Sequence, residues 1–270
     1  MFDSGVGGLT VLHECLVSLP EEDFVYLGDT AMFPYGNRDT GLLRERIREI
    51  AELMLGNGSA KLLVLACNTA TSIGEDVARD VAARHGVEVV PVVEPQAEIA
   101  SAITDNGKVG VLATPNTVES GAYRRALEAQ GRALEVTEVG APDLAPFIQR
   151  GLFFDDGVLR MARSYCAPLR EAEVDTLILG CTHYPLVAPM LQRILGRDVR
   201  LVSGGHAVAA AAQRTLVSSG LGRGPGGEGD YRFLCTGEVE SFRELGTRFL
   251  QMPLGEVERI EVPAADYPSG

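Results

Sequence analysis

Short runs of β-branched and leucine residues recur along the chain, each followed by a longer stretch whose apolar positions return every three or four residues. The runs are FVYLGD (24–29), KLLVLAC (61–67), VEVVPVVE (87–94), KVGVLAT (108–114), LEVTEVG (134–140), DTLILGC (175–181) and VRLVS (199–203). Several are apolar throughout, which suits strands covered on both faces. Helical patterns fall at 7–18, 42–55, 70–85, 95–105, 117–130, 157–170, 185–195 and 205–219. Such alternation predicts an α/β fold of mostly parallel sheets flanked by helices.

Four segments share one design, a strand end that opens through a polar loop into a helix: FDSGVGGLTV, LACNTATS, VGVLATPNTV and LGCTHYPLV. Asp3 stands about as far before Cys67 as Thr114 stands before Cys181. The chain thus reads as two pseudo-symmetric lobes. Lobe 1, residues 1–92 plus 205–270, carries Cys67; lobe 2, residues 93–204, carries Cys181. Parallel sheets bind ligands beyond the carboxyl ends of their strands, so facing edges would enclose a cleft. GLGRGPGGEG (220–229) reads as a flexible connector, after which YRFLC and a helix near 238–250 return to complete the first lobe.

Composition narrows the chemistry. A net charge of −13 over 270 residues argues against a nucleic-acid partner. No apolar stretch reaches membrane-span length, and no leader opens the chain, so the expected address is the cytoplasm, with no membrane partner. Five cysteines, odd in number and widely spread, are not a secreted disulfide framework. The only lysines, Lys61 and Lys108, stand at the upstream edges of apolar runs, which leaves a pyridoxal Schiff base little to form on. No cofactor is expected.

Cys67 and Cys181 both sit where a strand gives way to a helix. Backbone N–H groups at a helix start favour a thiolate and depress its pKa. Buried packing is the competing reading, and it suits Cys15, Cys166 and Cys235. Zinc would find only Cys181 and His183 close together, short of the three or four ligands it takes, so no metal is expected. A cysteine hydrolase needs one nucleophile with a histidine partner, and Cys67 has none nearby in sequence. GVGG (5–8) could turn around a phosphate, but it matches neither GxGxxG nor the Walker pattern. Two-base proton transfer uses both cysteines: a thiolate removes a proton from a carbon acid, a thiol returns one to the opposite face, and the centre inverts.

DSGVGGLTV, GDTAMFPYG, ACNTATS, GVLATPNTV and LGCTHYPL, in that order, resemble the glutamate racemases of the aspartate/glutamate racemase superfamily. The resemblance runs from residue 3 to about residue 188 and implies cofactor-independent interconversion of L- and D-glutamate for peptidoglycan synthesis. It implies Cys67 and Cys181 as the paired bases, with Asp3 assisting the first and His183 the second. Ser4, Tyr35, Gly36, Asn68, Thr69 and Thr182 would hold the substrate with Asp3 and His183, and Thr114 and Thr117 would add contacts. A homodimer is also implied. Plainer roles exist: Asp3, Ser4, Thr69 and Thr182 as helix caps, Pro34–Gly36 as a turn, and His183 as a structural histidine. A racemase or isomerase of aspartate or a hydantoin, and a catalytically weakened regulatory binding protein, are the alternatives.

Three departures accompany the match. Relatives carry a full apolar strand before the Asp-Ser pair, where only Met1 and Phe2 stand, so the true start is expected upstream. Gln149 occupies a place where relatives often have Glu, which implies a slower or differently biased reaction on the Cys181 side. LVSGG (201–205) replaces a more usual Asp-Ser pattern.

Overall fold

A computed structural model describes residues 1–151, 155–224 and 226–262. Residues 263–270 of the expected first lobe and Pro225 of the connector lie outside the described residues. The chain begins β1 (Phe2–Asp3), α1 (Leu9–Ser18), β2 (Phe24–Gly28), α2 (Thr40–Leu55), β3 (Leu62–Val64), α3 (Asn68–Arg84) and β4 (Glu88–Val90). It continues α4 (Val93–Ile103), β5 (Lys108–Ala113), α5 (Pro115–Glu119), α6 (Ala122–Glu128), β6 (Glu135–Gly140) and α7 (Leu144–Gln149). Then come α8 (Asp156–Glu171), β7 (Thr176–Gly180), α9 (Ala188–Leu195) and β8 (Arg200–Val202), before α10 (Gly204–Ser219), β9 (Tyr231–Cys235), α11 (Val239–Leu250) and β10 (Val257–Arg259).

The pairings between these strands are parallel, and they form two groups. In the first, β1-β2-β9-β10 is joined to β3-β4 through a bridge between Phe2 and Leu65. The second runs β6-β5-β7-β8. Central β7 is buried at every position, whereas edge strand β6 is only partly covered, as its mixed sequence EVTEVG requires. One contiguous core reaches from Leu9 and Leu12 of α1 through Val93 and Ala97 of α4 to Val111 and Leu179 of the second sheet. A separate core packs Phe2 and Leu27 against Leu43 and Ile47 of α2 and Val81 of α3.

Departures from the periodicity have local causes. The helix expected over 117–130 is two helices, because Gly121 at φ 66° breaks it between α5 and α6. The run 87–94 is a strand only to Val90; Pro91 ends the ladder, and α4 begins at Val93. Residues 185–195 open with a 3-10 turn, Tyr184–Val187, before α9. The hydrophobic pattern did not mark α7 or β10, each too short for a period to show. β1 holds only two residues between β2 and β3, and the amine of Met1 donates to Val25 O at 2.9 Å.

At the end of β2, Asp29 is fully buried and receives two bonds from Arg46 of α2, at 2.9 and 2.7 Å. Tyr35 Oη and Thr236 Oγ1 also donate to it, at 2.6 and 2.8 Å. The network pins the 30–37 loop to the first sheet. Removing one partner of a buried ion pair leaves an uncompensated charge. Arg46→Ala should therefore lower unfolding free energy by about 3–5 kcal/mol, read from urea denaturation; a loss within experimental error would show the pair to be dispensable.

Candidate active site

Carboxyl ends of both sheet groups meet at one small cavity. Its walls are Ser4, Phe33, Pro34, Tyr35, Gly36, Cys67, Asn68, Thr69, Thr114, Ala145, Cys181, Thr182 and His183. The space is about 20 Å³, room for about one water molecule. Close backbone approach accounts for two glycines here. A Cβ on Gly7 would lie 2.3 Å from Thr182 Oγ1 and 2.5 Å from His183 Nδ1, and one on Gly36 would lie 2.7 Å from Thr114 Cβ. The GVGG loop thus brings the start of α1 against the Cys181 loop, a sufficient reason for glycine at Gly7 without a phosphate.

Cys67 caps α3. Its Sγ accepts from Ala70 N at 3.4 Å, and its thiol donates to Ser4 Oγ at 3.6 Å and also reaches Asp3. Asp3 lies just below the cavity wall, fully buried: Oδ1 accepts from Gly5 N at 2.8 Å and Oδ2 from Thr182 Oγ1 at 3.1 Å. Burial raises its carboxyl above the ordinary range despite these donors. Cys181 follows β7, with Sγ 3.8 Å from His183 Nδ1. His183 Nε2 meets Gln149 Oε1 at 2.6 Å, so the side-chain difference noted in sequence falls on the Cys181 side. A carbonyl oxygen only accepts, hence Nε2 carries the proton and Nδ1 offers a lone pair toward the thiol.

The thiol expectation is corrected here. The helix-start donor is present at Cys67 and lowers its pKa, yet burial outweighs it and pushes the thiol up to about 12, with the Asp3 charge adding to the rise. Cys181 is also raised, by burial first and then by the Cys67 and Asp3 charges. Both are thiols in this narrow cleft. His183 is pushed down to about 3 by burial, so its imidazole is neutral.

Of the other anticipated residues, Thr69 and Thr114 join hydroxyls across the cleft at 2.9 Å. Thr117 stands behind them, fully buried, 2.9 Å from Thr114 Oγ1 and off the cavity wall. Lys61 pairs with Glu22 and Lys108 with Glu173 at 2.9 Å, both away from the cavity. Among the described residues, no group of three or more His, Cys, Asp or Glu could hold a metal, and no helix is long and apolar enough to cross a membrane. Sequence reading missed Phe33, whose ring lies 5.3 Å from that of His183, and Ala145, because neither has polar chemistry. It also missed Asn116, whose amide holds Tyr35 O and Arg38 O at 2.9 and 2.8 Å; an Asn inside a helix start reads as a cap.

Two parallel sheet groups closing on one cavity, with a thiol from each at its wall, define the class: residues 42–212 match the family model for Asp/Glu/Hydantoin racemase. Within that class the chain belongs to the glutamate racemases, which are isomerases. It is 42% identical to the glutamate racemase of Acidothermus cellulolyticus over 258 residues, covering 95% of this chain and 96% of that one. Identity to the Mycobacterium tuberculosis glutamate racemase is 41% over 261 residues, covering 96% and 94%. Among solved structures, a glutamate racemase isoform of Bacillus anthracis superposes with a TM-score of 0.91 at 33% identity, covering 98% of this chain and 97% of that one. The Francisella tularensis glutamate racemase in complex with D-glutamate gives 0.89 at 28%, covering 97% and 96%.

Neutral His183 has a stability consequence. Its folded pKa, about 3, lies below the ordinary 6.5, so below pH 6.5 the unfolded state takes up a proton that the native state refuses. Its contribution is intact above about 6.5 and is lost as pH falls toward 3. Urea midpoints of wild type and His183→Gln, compared at pH 7.5 and 4.5, should show the wild type losing more; equal losses would contradict the neutral assignment.

Proposed function

We propose that this chain interconverts L- and D-glutamate by two-base proton transfer between Cys67 and Cys181, supplying D-glutamate for peptidoglycan. The observation carrying this reading is that both sulfurs line one cavity, each backed by its own proton acceptor. Asp3 backs Cys67, and its raised pKa makes it a better acceptor for a thiol proton than an ordinary carboxylate. Neutral His183 backs Cys181 through the Nδ1 lone pair that Gln149 leaves free. A cationic substrate ammonium arriving in this dry space lowers the cost of a thiolate on either side.

In one direction the Cys67 proton passes to Asp3 and the thiolate removes the Cα hydrogen. Cys181 then delivers its thiol proton to the opposite face, so the carbon inverts and the thiolate moves to Cys181. In reverse, His183 takes the Cys181 proton first. Protons balance over the turnover: one leaves Cα and one arrives, and the proton parked on Asp3 or His183 returns to the thiolate left on the other side as product leaves. Hydroxyls and backbone amides of Ser4, Tyr35, Gly36, Thr69, Thr114 and Thr182 serve as substrate contacts, which bind carboxylates without a lysine or arginine clamp, and Asn68 is a further substrate contact. Glutamate does not fit a space of about 20 Å³, so the cleft opens to admit it.

In D2O the enzyme should exchange the Cα hydrogen of either glutamate enantiomer and interconvert them, with aspartate and hydantoins turned over far more slowly. Cys67→Ser or Cys181→Ser should cut racemisation by at least roughly 10²–10⁴-fold, the worth of a general acid or base. Polarimetry or a coupled D-glutamate assay reads both, and undiminished turnover by either variant would sink the assignment.

A further inference from the structure

Behind the cavity lies a buried polar hub that the proton-transfer chemistry does not use. Gln96 of α4 is completely buried, and its Nε2 donates to Leu179 O of β7 and Val202 O of β8, both at 3.2 Å. Those carbonyls can only accept, so the Gln96 amide has one permitted orientation, with Oε1 turned the other way. There Oε1 accepts from Asn68 Nδ2 at 2.9 Å and from Tyr123 Oη at 2.5 Å. Asn68 Nδ2 also donates to Tyr123 Oη at 2.6 Å. The Nδ2 end of the Asn68 amide is thereby held within the hub. The atom left is Asn68 Oδ1, which carries no hydrogen bond among the described residues, is not sealed from solvent, and belongs to a residue on the cavity wall.

We propose that Gln96 is a positioning residue for substrate recognition: by relaying the polarity of two strand carbonyls to Asn68, it presents a carbonyl oxygen to the cleft and makes the site select an ammonium at Cα. The inference rests on glutamate being the substrate and adds what tells it from its keto analogue. Flipping the Asn68 amide would set Oδ1 against Gln96 Oε1, and flipping Gln96 would set its oxygen against two backbone carbonyls; each buries opposed acceptors, a costly arrangement. The side chain is therefore locked before substrate arrives. A 2-oxo acid would place its own carbonyl oxygen against Oδ1 and be refused.

Glutamate and 2-oxoglutarate are the probes. Gln96→Leu removes the relay and frees the Asn68 amide to turn. It should raise KM for both glutamate enantiomers by roughly tenfold, the worth of a hydrogen bond to a charged group, with a smaller change in kcat. Inhibition by 2-oxoglutarate should strengthen relative to glutamate by about the same factor. Gln96→Glu, whose protonated carboxyl donates to one strand carbonyl and still accepts from Asn68, should keep the wild-type ratio. Tyr123→Phe removes one of the two acceptors that hold Nδ2 and should move the ratio in the same direction by about threefold, so the test survives if Gln96→Leu does not fold. An unchanged ratio in both Gln96→Leu and Tyr123→Phe, or equal weakening of both ligands, overturns the proposal. Failure of the wild type to racemise glutamate would count instead against the two-thiol mechanism, since calorimetric binding of the two ligands still reads the ratio.

Discussion

A carboxylate without solvent must be satisfied by protein, and Asp3 is satisfied from both sides of the cleft. Its donors come from the β1–α1 loop through Gly5 and from the β7 loop through Thr182, with the Cys67 thiol that caps α3 alongside. Burying this group costs several kcal/mol unless each partner is in place. The Asp3 carboxylate thus fixes where the two cysteine loops stand relative to one another. Gly7 is the steric counterpart, since the same approach leaves no room for a side chain.

Desolvation also explains why the resting thiols and the imidazole are neutral. Helix-start donors and hydroxyls act on Cys67 in the direction of ionisation, yet the dry surroundings win and the thiol stays protonated. The same force discharges His183 and raises Asp3. Positive charge therefore enters such a site with the ligand rather than waiting for it. A fixed cation would hold one thiol permanently ionised and favour one direction of transfer; amides and hydroxyls impose no such bias.

Much of this was legible in the sequence because strands buried on both faces leave uninterrupted apolar runs, and polar residues at their carboxyl ends stand out. Cys67, Asn68, Thr69, Cys181, Thr182 and His183 were visible for that reason, and they share one cavity. What stayed hidden depends on distance in three dimensions. Gln96 sits in VEPQAEIA, where nothing marks it apart from a solvated helix residue, and its meaning comes from β7, β8 and α6. Gly121 lies inside the single helix expected over 117–130, and its left-handed backbone splits that element. Thiol pKa values were misjudged because a helix start can be read from residues, whereas exclusion of water cannot.

The near absence of space between the walls also bears on how the sulfurs survive. Peroxides and alkylating agents attack the thiolate, and attack requires approach. A chamber holding about one water, drawn tight around two un-ionised thiols, limits both. Exposure of the sulfurs to oxidants therefore scales with the width of this cleft.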